Sequence, residues 1–145
     1  MGSSVYDSSS RAIRADKAGY ATKSKEEIFA KSIHETLDSR KVVFRECRDS
    51  NIHPEAIPVI IALDVTGSMG RIPHNLIKTG LPHIMQSLID SGIEHCSVCF
   101  IAVGDHISDK FPMQIAQFES GDLELDTHLQ RTFLEGNGGG NGGNS

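Results

Sequence analysis

Three oxygen-bearing side chains follow one another at alternate positions near the middle of the chain. Asp64, Thr66 and Ser68 place a carboxylate and two hydroxyls in one short segment. The segment directly follows an apolar run, residues 57–63, interrupted only by Pro58. Such a run predicts a strand buried on both faces of a parallel sheet, and ligands of such sheets bind beyond the carboxyl ends of the strands. Because Mg²⁺ and Mn²⁺ prefer hard oxygen ligands, the spacing indicates a metal site.

A plainer interpretation uses the same residues. A hydroxyl after a strand is often the N-cap of the next helix, and Gly67 and Gly70 suit a turn. A cap needs one hydroxyl, whereas this segment supplies two together with the Asp64 carboxylate, which is costly to leave uncompensated. We therefore favour a metal loop over a simple helix cap.

The string LDVTGSMG resembles the first metal loop of the von Willebrand factor type A (VWA) domain, which has the pattern Asp-x-Ser-x-Ser between an apolar strand and a helix. Thr66 takes the first Ser position and keeps its hydroxyl. With VGD, QFES and LEGNGGGNGG further along, the string is similar to a group of bacterial and phage VWA proteins of no assigned activity. The resemblance spans residues 58–145 and implies an α/β fold: a partial Rossmann-like (VWA-type) open sheet with flanking helices.

The resemblance also implies a set of metal ligands. In the VWA family a second loop offers a Thr, and Asn141 stands near that position in a Gly-rich segment that by composition alone is a flexible linker. The family's third loop, which carries an Asp, would be encoded beyond the present chain. Asp105 follows the second predicted strand and is either a turn residue, which we favour, or a further ligand. The implied cofactor is Mg²⁺ or Mn²⁺, held by Asp64, Thr66 and Ser68.

Two classes of function compete for this loop. In the first, which we favour, the chain is a non-catalytic binding module of the metal-ion-dependent adhesion site (MIDAS) type, and a partner's carboxylate completes the coordination of Mg²⁺. In the second, Asp64 is the nucleophile of a Mg-dependent phosphoryl transfer. The loop then resembles the Asp-Lys-Thr-Gly-Thr loop of P-type ATPases, and Gly104-Asp105 with Asp109 resembles the G-D-x-x-x-D loop of haloacid-dehalogenase phosphatases. Val65 replaces the required Lys, which disfavours the enzyme.

Length, charge and cysteine content bound the class of protein. At 145 residues the chain has the length of one domain, and its formal net charge of -5 argues against a nucleic-acid partner. It has neither the ~20-residue apolar run of a membrane helix nor a secretory signal in residues 1–20. We therefore expect a cytoplasmic protein with a protein partner. Cys47, Cys96 and Cys99 imply no disulfide framework. The last two form a C-x-x-C at the start of a predicted strand, where residues three apart point to opposite faces, which favours core packing over zinc or redox chemistry.

Three zones are predicted along the chain. They are, in order, residues 1–23, disordered or an arm that needs another surface; residues 24–57, an N-terminal helix and connector; and residues 58–145, the N-terminal half of a VWA-like domain. Ser24 and Glu27 have the spacing of a capping box, and the apolar residues after them predict a helix from about 25 to 38. A short strand is predicted at 41–44.

The third zone has the pattern of strand, helix and strand. A helix is predicted over residues 72–89 and ended by Gly92. It is expected to kink or break between about 79 and 82, because Pro82 has no N–H and Gly80 is a weak helix former. The further elements predicted here are strands at 97–103 and 113–118 and a helix that begins near Asp122 or Asp126.

The order of strands in the VWA fold leads to one further expectation. In that fold the strand that carries the metal loop is central, and one of its neighbours would be encoded after residue 145. Without that neighbour, residues 59–63 present an unpaired apolar edge. We therefore expect a fragment or half of an assembly, which self-associates or binds a partner chain through this edge.

Overall fold

The computed structural model describes residues 5–65, 71–93, 95–104 and 113–134. Its elements, in chain order, are α1 (Ser8–Ala18), α2 (Lys25–Ile28), a 3-10 turn (Ser39–Lys41), β1 (Ile57–Asp64), α3 (Arg71–Asn75), a π-helical turn (Leu76–Gly80), α4 (Leu81–Asp90), β2 (Cys96–Val103), β3 (Met113–Ile115) and α5 (Asp122–Gln130). The described residues thus form a mixed α/β fold with an open sheet and flanking helices, which confirms the predicted class at that level.

The sheet has three strands in the order β1-β2-β3. β1 and β2 are parallel and paired over their whole length, from Ile57 opposite Cys96 to Asp64 opposite Val103. β3 is short and antiparallel to β2. Within the described part of the chain β1 therefore lies at one edge of the sheet, and β3 lies at the other.

The two faces of β1 differ in burial. Val59, Ile61 and Leu63 belong to the side that packs into the apolar core, together with residues of β2 and the helices. On the other side Ile60 is 59% exposed, and Val103 of β2 is 42% exposed. The expectation that this strand is buried on both faces was therefore wrong: β2 is buried on both faces over most of its length, whereas the described elements cover β1 only on the Leu63 side.

The helix that follows the candidate metal loop departs from α-helical geometry just before Pro82, but the chain stays helical through 79–82, where a kink or break was predicted. Between α3 and α4 the chain makes a π-helical turn, and the N–H of Leu81 donates to the carbonyl of Leu76, five residues earlier. The wider turn lies just before the proline, which has no N–H to continue the α-helical pattern. At the other end Gly92 adopts φ 82° and donates to Ile89, so the predicted stop is confirmed.

The N-terminal zone required corrections. The described part of residues 1–23 contains the helix α1 where disorder was one of the two predictions. Asp7 caps this helix by accepting hydrogen bonds from the N–H groups of Ser9 and Ser10. The predicted arm thus forms a helix. α2 begins at the predicted capping box, where the N–H of Ser24 donates to Glu27.

The predicted helix over 25–38 ends early, at Ile28. The chain turns away there because the N–H of Ala30 donates to the carbonyl of Gln130, which ties it to the last residue of α5. The predicted strand at 41–44 was also wrong. Residues Ser39–Lys41 form a 3-10 turn, and Val43 is 93% exposed with no sheet neighbour among the described strands.

Candidate functional site

Asp64 is the last residue of β1, at the carboxyl end of a parallel strand pair. It lines an open depression of about 220 Å³ together with Ala62, Leu63, Val103 and Gly104. The depression lies where the ends of β1 and β2 meet, which is the place where ligands bind in open α/β sheets. The structure therefore puts the Asp64 carboxylate where the sequence analysis expected chemistry.

The backbone beyond Asp64 is firmly held while its side chain is exposed. The N–H of Val65 donates to the carbonyl of Val103 at 2.9 Å, and Val65 is only 2% exposed. After the loop, α3 begins at Arg71 and packs against β1, with Pro73 buried. The described residues on both sides of positions 66–70 thus belong to a strand end and to a packed helix, and Asp64 is exposed.

The other predicted ligands lie outside the described residues. These are Thr66, Ser68, Asp105 and Asn141. Within the part of the chain that the structure describes, no group of three or more His, Cys, Asp or Glu side chains is arranged to hold a metal ion. The placement of Asp64 is therefore a structural observation, and the rest of the ligand set stays a prediction.

A second charged region joins α1 to α5 and was missed by the sequence analysis. Arg11 is 3% exposed and Asp126 is 1% exposed, and the Arg11 Nε lies 3.1 Å from the Asp126 Oδ2. Arg11 also donates through Nη2 to the carbonyl of Ile77. Arg14 pairs with both Asp126 and Asp122, at 2.6 Å from the latter. We call these four side chains, Arg11, Arg14, Asp122 and Asp126, the ionic cluster.

Two tyrosine side chains, Tyr6 and Tyr20, lie beside the ionic cluster. The Arg11 guanidinium lies 5.3 Å from the centre of the Tyr20 ring, within range of a cation–π contact. Burial raises the pKa of Tyr6 to about 12, with the neighbouring Arg11 acting in the opposite direction. A sequence signal existed, because Asp122 and Asp126 are four residues apart on one helix. That signal could not identify the cationic partners, which lie more than 100 residues away.

Comparisons with protein-family models, curated proteins and solved structures found no match to this chain. The case for a function therefore rests on the residues themselves. Among the described residues, none of the helices is both long and apolar enough to cross a bilayer.

The C-x-x-C pair is confirmed as part of the interior of the fold. Cys96 and Cys99 lie on β2, and both are buried and unbridged. Burial raises the pKa of each thiol, which keeps the protonated form. The Cys99 Sγ lies 3.2 Å from the carbonyl of Ala116, so it packs against the backbone.

Proposed function

We propose that the chain is a non-catalytic, metal-dependent binding module with a VWA-type, Rossmann-like arrangement. Asp64, Thr66 and Ser68 would hold Mg²⁺ or Mn²⁺, with Asn141 and Asp105 as further candidate ligands. The observation that carries the proposal is the position of Asp64, exposed at the carboxyl end of a parallel strand and followed by a packed helix.

The choice of a binding function follows from the coordination chemistry. One carboxylate and two hydroxyls fill half of an octahedron, and a hard cation held this way keeps positions for water or for a ligand oxygen. A carboxylate of a partner protein fits such a position because it brings both an oxygen and a negative charge. No bond has to be made or broken for the metal to act as a bridge.

A calorimetric titration of Mn²⁺ into the full chain tests the metal site. We expect dissociation constants of about a millimolar, since only one ligand loop is complete by sequence. Asp64→Asn should abolish binding because it removes the only carboxylate of the loop, and Ser68→Ala should weaken it.

Asp90→Asn is the matched control for this titration. Asp90 is also exposed, but it ends α4 six residues before β2 begins at Cys96, and so lies toward the opposite end of the strands. Unchanged Mn²⁺ binding in Asp64→Asn, or an equal loss in Asp90→Asn, would contradict the proposal.

We also propose that the β1 edge receives a partner chain or a second copy of this chain. Among the described strands, β1 has a neighbour along one edge only. The Ile60 side chain, on the uncovered face of the same strand, is 59% exposed. Ile60→Lys should reduce self-association measured by size-exclusion chromatography with light scattering. Leu123→Lys on α5 is the control, because Leu123 is 55% exposed on a helix. A monodisperse wild-type monomer would count against self-association.

A further inference from the structure

A cavity of about 350 Å³ lies near β3, at the opposite side of the sheet from β1. Its wall includes three cationic side chains, Lys41, Arg45 and Arg131, together with the imidazole of His128 and one exposed carboxylate, Glu35. The cations come from two separate segments, one that precedes β1 and one at the end of α5. Their convergence is notable in a chain whose formal net charge is -5.

Arg45 is fixed in this wall by backbone carbonyl groups. Its Nε donates to the carbonyl of Ala116 at 2.9 Å, and its Nη2 donates to the carbonyls of Thr36 at 2.6 Å and Ile115 at 3.2 Å. These bonds orient the guanidinium but leave its charge in place, and they leave the N–H groups of Nη1 for a ligand. Among the described residues, no ion pair neutralises Arg45, Lys41 or Arg131.

His128 supplies a second, independent observation. Its Nδ1 is buried and has no hydrogen-bond partner among the described residues. Arg131 follows three residues later, near the end of the same helix, so both side chains lie on one side of α5. Burial lowers the pKa of His128; Arg131 and Arg45 act in the same direction, whereas Glu119 and a hydrogen bond with the Gln117 backbone oppose them.

We propose that this cavity binds the phosphate group of a small phosphate monoester. Lys41, Arg45 and Arg131 would supply the charge, and the protonated ring of His128 would donate a hydrogen bond through Nδ1, which in the neutral imidazole is an acceptor because the other ring nitrogen bonds the Gln117 backbone. Arginine matches a tetrahedral oxyanion because its planar fork can donate two parallel hydrogen bonds. The volume lies within the range of small-molecule sites and leaves room for the ester's organic part.

The position of Arg131 has a simpler cause that accounts for only part of the site. A cation near the carboxyl end of a helix interacts favourably with the helix dipole, so Arg131 and His128 could stabilise α5 alone. That effect does not bring Lys41 and Arg45 to the same cavity from another segment. Nor does it account for the buried Nδ1 of His128, which has no hydrogen-bond partner in the described part of the chain.

Calorimetry with the full chain tests the proposal, with phenyl phosphate and inorganic phosphate as the probes. We expect phenyl phosphate to bind more tightly than inorganic phosphate, and Arg131→Gln to weaken it by at least about tenfold, the effect of losing one charged hydrogen bond. Arg48→Gln is the control: it removes the same charge from an exposed arginine that pairs with Glu46, and its affinity should match the wild type.

The calorimetric outcomes that overturn the proposal are specific. They are no binding of phenyl phosphate to the wild type, equal affinity for the two probes, unchanged binding in Arg131→Gln, or an equal loss in Arg48→Gln. None of these outcomes depends on the metal loop, so the two proposals can fail separately.

Titration of His128 gives a readout that a merely structural role would not change. The folded pKa lies below the ordinary value of 6.5, so the stability contributed by the neutral imidazole is present above pH 6.5 and is lost as the pH falls below it. A bound phosphate dianion favours the imidazolium and should raise this pKa, measured from the ring proton resonance by NMR. The chain has seven histidines, and His128→Gln assigns the resonance. An unchanged pKa at saturating phenyl phosphate would contradict the assigned hydrogen bond.

Discussion

Asp64 and Asp126 carry the same side chain in opposite surroundings. Asp64 is exposed at the open end of two strands, and the sequence around it has the spacing of a metal loop. Asp126 is 1% exposed and is held by Arg11 and Arg14 between α1 and α5. A carboxylate at a strand end can be kept for a ligand, whereas a buried carboxylate has to be compensated within the protein.

The ionic cluster explains why the N-terminal segment is part of the fold. In α1 the only buried residue is Arg11, so this helix has little apolar surface with which to join the core. Its attachment depends on Arg11 and Arg14, which reach across to α5, and on the N–H of Asp7, which donates to Asp122. Charge satisfaction, in addition to apolar burial, therefore holds α1 in place.

The largest expected effect on stability comes from changing the buried carboxylate, Asp126. Asp126→Asn removes the charge that faces Arg11 and Arg14 and leaves a buried guanidinium without its partner. We expect the free energy of unfolding to fall by about 3–5 kcal/mol, the usual cost of breaking a buried pair from one side. Urea denaturation measures this change directly.

A double variant separates the missing partner from the lost contact. Arg11→Met with Asp126→Leu removes both buried charges and keeps apolar volume, so it should be less destabilised than Asp126→Leu alone. If the double variant lost at least as much stability as Asp126→Leu, desolvated charge would not explain the cost.

The smallest expected effect on stability comes from changing the exposed carboxylate, Asp64. Asp64→Asn should change the free energy of unfolding by no more than about 0.5 kcal/mol, because the side chain is exposed and the backbone after it is held by Val65. The same urea experiment gives the number. A loss of several kcal/mol would mean that Asp64 supports the fold, and the contrast with Asp126 would disappear.

Local patterns were enough for several elements of the fold. The apolar runs placed β1 and β2, because a short run of apolar side chains rich in Val and Ile favours an extended strand whether one or both of its faces are covered. Pro82 and Gly92 act through their own backbone chemistry, so a helical irregularity before α4 and the end of α4 followed from the residues themselves. The capping box at Ser24 was found for the same reason.

The wrong predictions concern segments whose structure depends on residues far away in the sequence. The helix predicted over 25–38 ends at Ile28 because Ala30 bonds to Gln130, which lies 100 residues further along. Residues 41–44 have strand-forming side chains, but none of the strands that the structure describes lies beside them. Neither outcome can be seen in a short window of sequence.

The sequence by itself determined the class of the fold and the position of Asp64, because an apolar strand followed by a polar loop has one favourable place for its carboxylate. Tertiary structure alone decided which charges meet. Arg11 finds Asp126 across 115 residues, and Arg45 and Arg131 reach one cavity from separate segments. The physical reason is that charges and hydrogen-bonding groups interact according to their distance in space, which depends on the whole fold. The apolar periodicity of a helix or strand, in contrast, can be read from neighbouring residues in the sequence.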